Sequence, residues 1–354
     1  MALCLVVWAC KTLTSHSEVL YVNQGANIAP AALRMGRSDY NFMFTMKHSL
    51  FALAVLSLLF TIIRSQEKSA GRDFADRPPP PATAEAKSEM QKHLAAARAK
   101  FESNPNDPEA FIWLGRRLAY LGQFRDAIDV YTKGIEKFPN DPRFYRHRGH
   151  RRITIRKFDP AIADFEQAAK LIRDKPDQVE PDGQPNPRNI PTSTLQFNIW
   201  YHLGLAYYLT GDYEKALKSY RECLKVSKNP DALAATSHWL YMTLRRLNRN
   251  AEAAQVLNPI HDKMDIIENG GYHRLLLMYK GVISHEELLA ETLKQTASPG
   301  SHSVLYGLGS WYLYNGRHTE AAEILRKITE SEQWTSFGYI AAEADLKRLK
   351  QSSS

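Results

Sequence analysis

The chain has 354 residues, enough for one large or two small domains, and its 44% of hydrophobic residues suffice to bury a core. Lys and Arg exceed Asp and Glu by eight, and seven of those positive charges fall in Arg143–Lys157, a stretch with no acid. The basic balance is therefore one local patch, which argues against a chain that holds nucleic acid over its whole surface. Of three cysteines, Cys4 and Cys10 precede any foldable region, so Cys223 has no partner for a disulfide in the rest of the chain.

Residues 1–45 show no hydrophobic period and read as a leader outside the folded protein. Residues 46–63, MKHSLFALAVLSLLFTII, place Lys47 before an apolar run from Ser49 to Ile63. As a helix that run is about 22 Å long, shorter than the roughly 30 Å hydrocarbon core of a bilayer. A positive start with a short apolar stretch is a secretory pattern. Residues 46–65 are thus expected to act as a signal peptide or signal anchor, and a start at Met46 would give a conventional one. The protein is expected to be exported, periplasmic or extracellular, or held at a membrane by 46–63. Residues 66–82 carry four consecutive prolines at 78–81, which no helix interior accepts, and read as an extended linker.

From residue 83 the pattern becomes helical. Glu85–Phe101 has apolar residues at helical spacing. Starting at Pro108, PEAFIWLGRRLAYLGQFRDAIDVYTKGIEKFPN sets small or apolar residues at positions 4, 7, 8, 11, 17, 20, 24 and 27, with a proline at 32. The pattern recurs. Gly149 and Ala161 lie 34 residues after Gly115 and Ala127. Gly204 and Ala216 follow 55 later, a further 34 plus an insertion of 21. WYHLGLAYYLTGDYEKALKSYREC is the cleanest copy. A fourth has Ala253 and Leu257 but Tyr241 in place of the glycine. The last has Gly309, Tyr312, Gly316, Ala321 and Leu325, which leaves room for a degenerate copy at about 267–298. A unit that cannot bury its own apolar face must stack on its neighbours.

These residues resemble the tetratricopeptide repeat. The resemblance covers about 105–330 and implies an all-α, right-handed superhelical solenoid of antiparallel helix pairs, here over 83–354. Thr335–Leu349 suits a capping helix. The insertion 174–194, DKPDQVEPDGQPNPRNIPTST, has five prolines and reads as a long loop, functional or merely tolerated.

The resemblance also implies where a ligand sits, since first helices line a concave groove in this family. Its groove positions fall here on Arg116 and Tyr120, then Arg143, Arg146 and His150, then Asn198, Tyr201 and Tyr208, then His238, Arg245 and Arg246, and finally Tyr306 and Tyr314. Arginine forks and tyrosine walls suit an acidic or carboxylate-bearing peptide. The family's clamp for chaperone tails is not reproduced, because the matching places hold Ile112, Arg116, His147, Asn198 and His202. Arg148 and Arg152 occupy core positions and would need acids such as Asp159, Asp164 or Glu166.

His147 and His150 have metal-like spacing, but Arg146, Arg148 and Arg151 repel a cation, so no metal is expected. No phosphate loop, dinucleotide fingerprint, HExxH or GxSxG occurs. Gly270 and Gly271 read as a turn, and Cys223 as a buried packing thiol. The sequence therefore predicts a non-enzymatic, cofactor-free binding scaffold for a protein or peptide, touching a membrane only through the N-terminal segment. Single-stranded RNA binding, or an enzyme site near 143–157, are the alternatives.

Overall fold

The computed structural model describes residues 74–294 and 299–352. The leader and the signal-like segment lie outside them. After a short 3-10 turn at Phe74–Asp76 the described residues form fourteen α-helices and no strand. α1 is Ala84–Ser103. Six antiparallel pairs follow: α2 Pro108–Tyr120 with α3 Phe124–Lys137, α4 Pro142–Thr154 with α5 Phe158–Leu171, α6 Leu195–Thr210 with α7 Tyr213–Val226, α8 Pro230–Arg246 with α9 Asn250–Val256, α10 Gly270–Tyr279 with α11 His285–Leu293, and α12 Pro299–Tyr314 with α13 His318–Thr329. α14 is Phe337–Ser352.

Local chemistry sets the boundaries. Asp107 and Asp141, 34 residues apart, cap α2 and α4 by accepting from the backbone N–H of Glu109 and Arg143, and each is followed by proline at the first helical position. Asn229 and Pro230 repeat the device at α8. Each turn from first to second helix contains one left-handed residue: Gly122, Arg156, Gly211, Asn248, Gly281 and Gly316. Arg156 is the odd member, because a side chain at φ 62° costs about 1 kcal/mol. Its guanidinium offsets this by donating to Glu343 Oε2 and Trp334 O, each at 2.9 Å.

In the first three pairs the helices meet where glycine faces an aromatic ring sixteen residues later, and in the last pair Gly309 faces Leu325 at the same offset. A Cβ on Gly149 would come within 2.8 Å of the Phe165 ring, and one on Gly204 within 2.7 Å of Tyr220. Gly115 faces Tyr131 in the same way. The fourth pair breaks the rule. Tyr241 stands where the glycine would be, its ring stacks on Tyr279 at 4.3 Å, and α9 is only seven residues long. The intermediate copy forms α10 and α11. Cys223 is fully buried.

Two segments outside the pairs are anchored to them. α14 packs on α12 and α13 and also reaches α6. Residues 74–79 of the proline-rich stretch lie against the repeats: the Arg156 guanidinium sits 3.9 Å from the Phe74 ring centre, Arg125 pairs with Asp76, and Trp334 Nε1 donates to Pro78 O at 2.7 Å.

Candidate functional site

The residues assigned to the groove wall separate into two clusters, each built around a carboxylate that the chain itself supplies. The first involves α2, α4 and α6. Arg146 pairs with Glu180 Oε1 at 2.9 Å, and Asn198 Nδ2 donates to Glu180 Oε2 at 3.1 Å. Arg116 donates to Pro181 O at 2.8 Å, and Arg117 to Gly183 O at 3.1 Å. The Tyr120 hydroxyl accepts from Arg116 at 3.3 Å, and the Arg116 guanidinium stacks over Trp113. Arg116, Tyr120, Arg146 and Asn198 therefore converge, and they converge on residues 180–183 of the insertion. Arg143 is turned aside, pairing with Glu109 and Asp141.

The second cluster involves α6, α8, α12 and α14. Asp345 of α14 is 1% exposed. Its Oδ2 accepts from Arg246 at 2.5 Å and from the Tyr306 hydroxyl at 2.9 Å, while Arg348 donates to Oδ1 at 2.8 Å. The Tyr208 and Tyr306 hydroxyls are 3.1 Å apart. Burial lowers the Arg246 pKa, but the facing Tyr208 and Asp345 outweigh it and hold it well above the usual value. Tyr306 is pushed well above the usual phenol value, first by burial and then by Asp345.

The remaining predicted residues bring a correction. Tyr201, Tyr208, His238 and Tyr306 are core residues, buried and lining no open surface. Tyr201 meets Tyr272 through their hydroxyls, and His238 stacks on Tyr272 at 4.6 Å. His150 lies between His202, at 4.6 Å, and Phe337 of α14. Arg245 donates to Asn315 and stacks over Tyr314. The physical reason is that α14 closes over Tyr208, Tyr306 and His150, while Tyr272 and Tyr279 of α10 cover Tyr201 and His238. Burial, and then the nearby arginines, keep His147 and His150 well below the ordinary imidazole range. Burial alone holds His238 at about 3, and burial followed by Arg146 does the same to His202. Arg146 Nη1 lies 2.9 Å from His147 Nδ1, so a neutral His147 accepts there.

Arg148 and Arg152 are settled by Asp164. Arg148 binds it with two hydrogen bonds, at 2.7 and 3.1 Å, and Arg152 with one at 2.8 Å. Sequence reasoning missed Glu180, Asp345, Arg117 and Arg348. The available signals were an acid inside the apolar stripe of the last helix and the only glutamate of the insertion. Among the described residues, no group of three or more His, Cys, Asp or Glu could hold a metal ion.

Comparison with known proteins agrees with the repeat pattern. Three models described as tetratricopeptide repeat match residues 108–151, 197–230 and 303–331. The human protein named tetratricopeptide repeat protein 13 is 28% identical over 121 residues, covering 34% of this chain and only 12% of that protein. Among solved structures, YrrB, described as a TPR protein with an unusual peptide-binding site, is 16% identical, with 71% of this chain and 98% of that one covered and a TM-score of 0.38. The crystal structure of MamA is 20% identical over 49% of this chain and 86% of its own, with a TM-score of 0.37. The APC/C hetero-tetramer Cut9-Hcn1 gives 17% identity, 68% and 40% coverage, and 0.40.

Proposed function

From the premise that the chain is a tetratricopeptide-repeat protein, we propose that it is a non-enzymatic protein-binding scaffold whose first helices recognise carboxylate-bearing segments. One observation carries this reading. Two carboxylates that reach the first helices from elsewhere in the chain, Glu180 and Asp345, are each taken by an arginine together with an uncharged donor, Asn198 or Tyr306. Charge-assisted bonds of this kind are the strong ones, and arginine offers several donors in a fixed fork. A wall that selects carboxylates from its own chain has the chemistry to select them from a partner.

The test is capture by the full chain beside an Arg146→Glu variant whose helix content is checked by circular dichroism. The reading requires a protein captured by the first, lost by the second, and competed off by an acidic peptide. Identical captured sets from the two chains would remove it.

Export belongs to the same proposal and rests on residues 46–65 alone, which lie outside the described residues. A fusion of residues 46–82 to a reporter active only outside the cytoplasm should report, and a Leu56→Asp/Leu59→Asp version should not. Equal signal from both would end the export reading.

A further inference from the structure

We propose that residues 178–183 of the insertion are a built-in stand-in for the ligand, occupying the wall of α2, α4 and α6 until an external segment of the same chemistry displaces them. This rests on the reading of the wall given above. It adds the kind of segment recognised and the way the site is kept closed.

The segment Gln178–Gly183 reads QVEPDG and lies across the first helices of three repeats. It is held as a bound peptide is held. One side-chain carboxylate, Glu180, is clamped by Arg146 and Asn198. Two backbone carbonyls, at Pro181 and Gly183, accept from Arg116 and Arg117. Gly183 lies so close to the Tyr120 hydroxyl that any Cβ there would overlap it. The wall thus takes a glutamate and, three residues later, favours a residue without a side chain.

What holds the segment is polar. No residue from 173 to 191 is buried, and the apolar side chains of Val179 and Ile190 are 61% and 44% exposed. A segment that buries no apolar side chain opens at low free-energy cost. Its outer end is pinned by Arg188 to Asp265, with side chains 47% and 71% exposed, and by Asn186 to Glu268. Exposed pairs of this kind contribute little. Its base is held by two backbone bonds, Leu195 N to Gln178 O and Glu180 N to Ser193 O, and release of Glu180 from the wall includes opening the second of them.

The fit is also incomplete. A cavity of about 150 Å³ remains beside the segment, lined by Ile112, Trp113 and Leu195 of the repeats and by Gln178, Val179, Glu180 and Pro181 of the segment itself. The ligand class is an extended acidic segment of the form Glu-x-x-Gly.

The experiment uses the full chain and a fluorescein-labelled peptide of residues 177–184, read by anisotropy. In one variant residues 178–183 are replaced by an equal length of Gly and Ser. That variant should bind the peptide at least tenfold more tightly than the native chain. Changing the peptide's glutamate to glutamine should weaken binding about tenfold. A second variant, Arg188→Ala/Asn186→Ala, keeps the segment but frees its outer end. It should gain two- to fivefold, and it serves if the six-residue replacement impairs folding. The proposal is overturned if the folded variants bind no more tightly than the native chain, or if the glutamine peptide binds equally well. A replaced chain that ignores the peptide yet captures a protein in an Arg146-dependent way would sink this proposal and leave the scaffold reading standing. Loss of Arg146 dependence as well would sink both.

Discussion

Glu180 and Asp345 make the same chemical contact in two different settings. Asp345 sits on a regular helix, 1% exposed, among Ile340, Ala341 and Ala342, which are themselves buried. Glu180 sits on a proline-rich loop in which no residue from 173 to 191 is buried as a whole, although its own side chain is only 11% exposed against Arg146. Asp345 is fixed by the apolar packing of the helix that carries it and is part of the core. Glu180 is fixed by polar partners alone and is an occupant. Packing around a charge pair, more than the pair itself, decides whether a contact is structural or exchangeable.

The largest effect that sharpens this contrast is at Asp345. Asp345→Ala leaves the largely buried Arg246 without its carboxylate and Arg348 without its partner, and should destabilise the fold by about 3–5 kcal/mol in urea unfolding. Next comes acid. His202 and His238 are held neutral with pKa values near 3, while the unfolded chain titrates near the ordinary imidazole value of about 6.5. Below pH 6.5 the unfolded state therefore binds more protons. Stability should be level above that point and fall steadily towards pH 3, with each of the two costing about 2 kcal/mol at pH 5. Unfolding midpoints that do not change between pH 7 and 5 would contradict the burial of these rings. Gly204→Ala, which pushes a methyl group against the Tyr220 ring, should lower stability by about 1–3 kcal/mol. Glu180→Ala should cost only about 1 kcal/mol, because opening the loop lets water reach Arg146. If it costs as much as Asp345→Ala, the two sites are alike and the contrast fails.

The repeats were legible because each carries its own contacts. Gly115 meets Tyr131 and Gly149 meets Phe165 inside one unit, so a fixed offset of sixteen residues records a physical touch. Arg146 and Asn198 were found in the same way, since their places in the repeat put them on the wall. The occupants of that wall were not legible. Arg116 meets Pro181 across 65 residues, Arg246 meets Asp345 across 99, and Trp334 meets Pro78 across 256. No period encodes such contacts, and a proline-rich insertion has no hydrophobic pattern to reveal which surface it covers. The reading of 66–82 as an extended linker gave no sign, for the same reason, that residues 74–79 lie against the repeats. Tyr208 and Tyr306 were expected on a groove wall, and nothing local showed that α14 would close over them.

The most direct test of the central claim is hydrogen exchange at two backbone positions in one sample. Glu180 N–H donates to Ser193 O at the root of the loop, and the N–H of Asp345 lies within α14. The account predicts that the Asp345 amide exchanges only with opening of the repeat stack, and that the Glu180 amide exchanges at least a hundredfold faster through local opening. Equal protection at both would mean that the loop is as much a part of the core as α14, and that the wall of α2, α4 and α6 is closed for good.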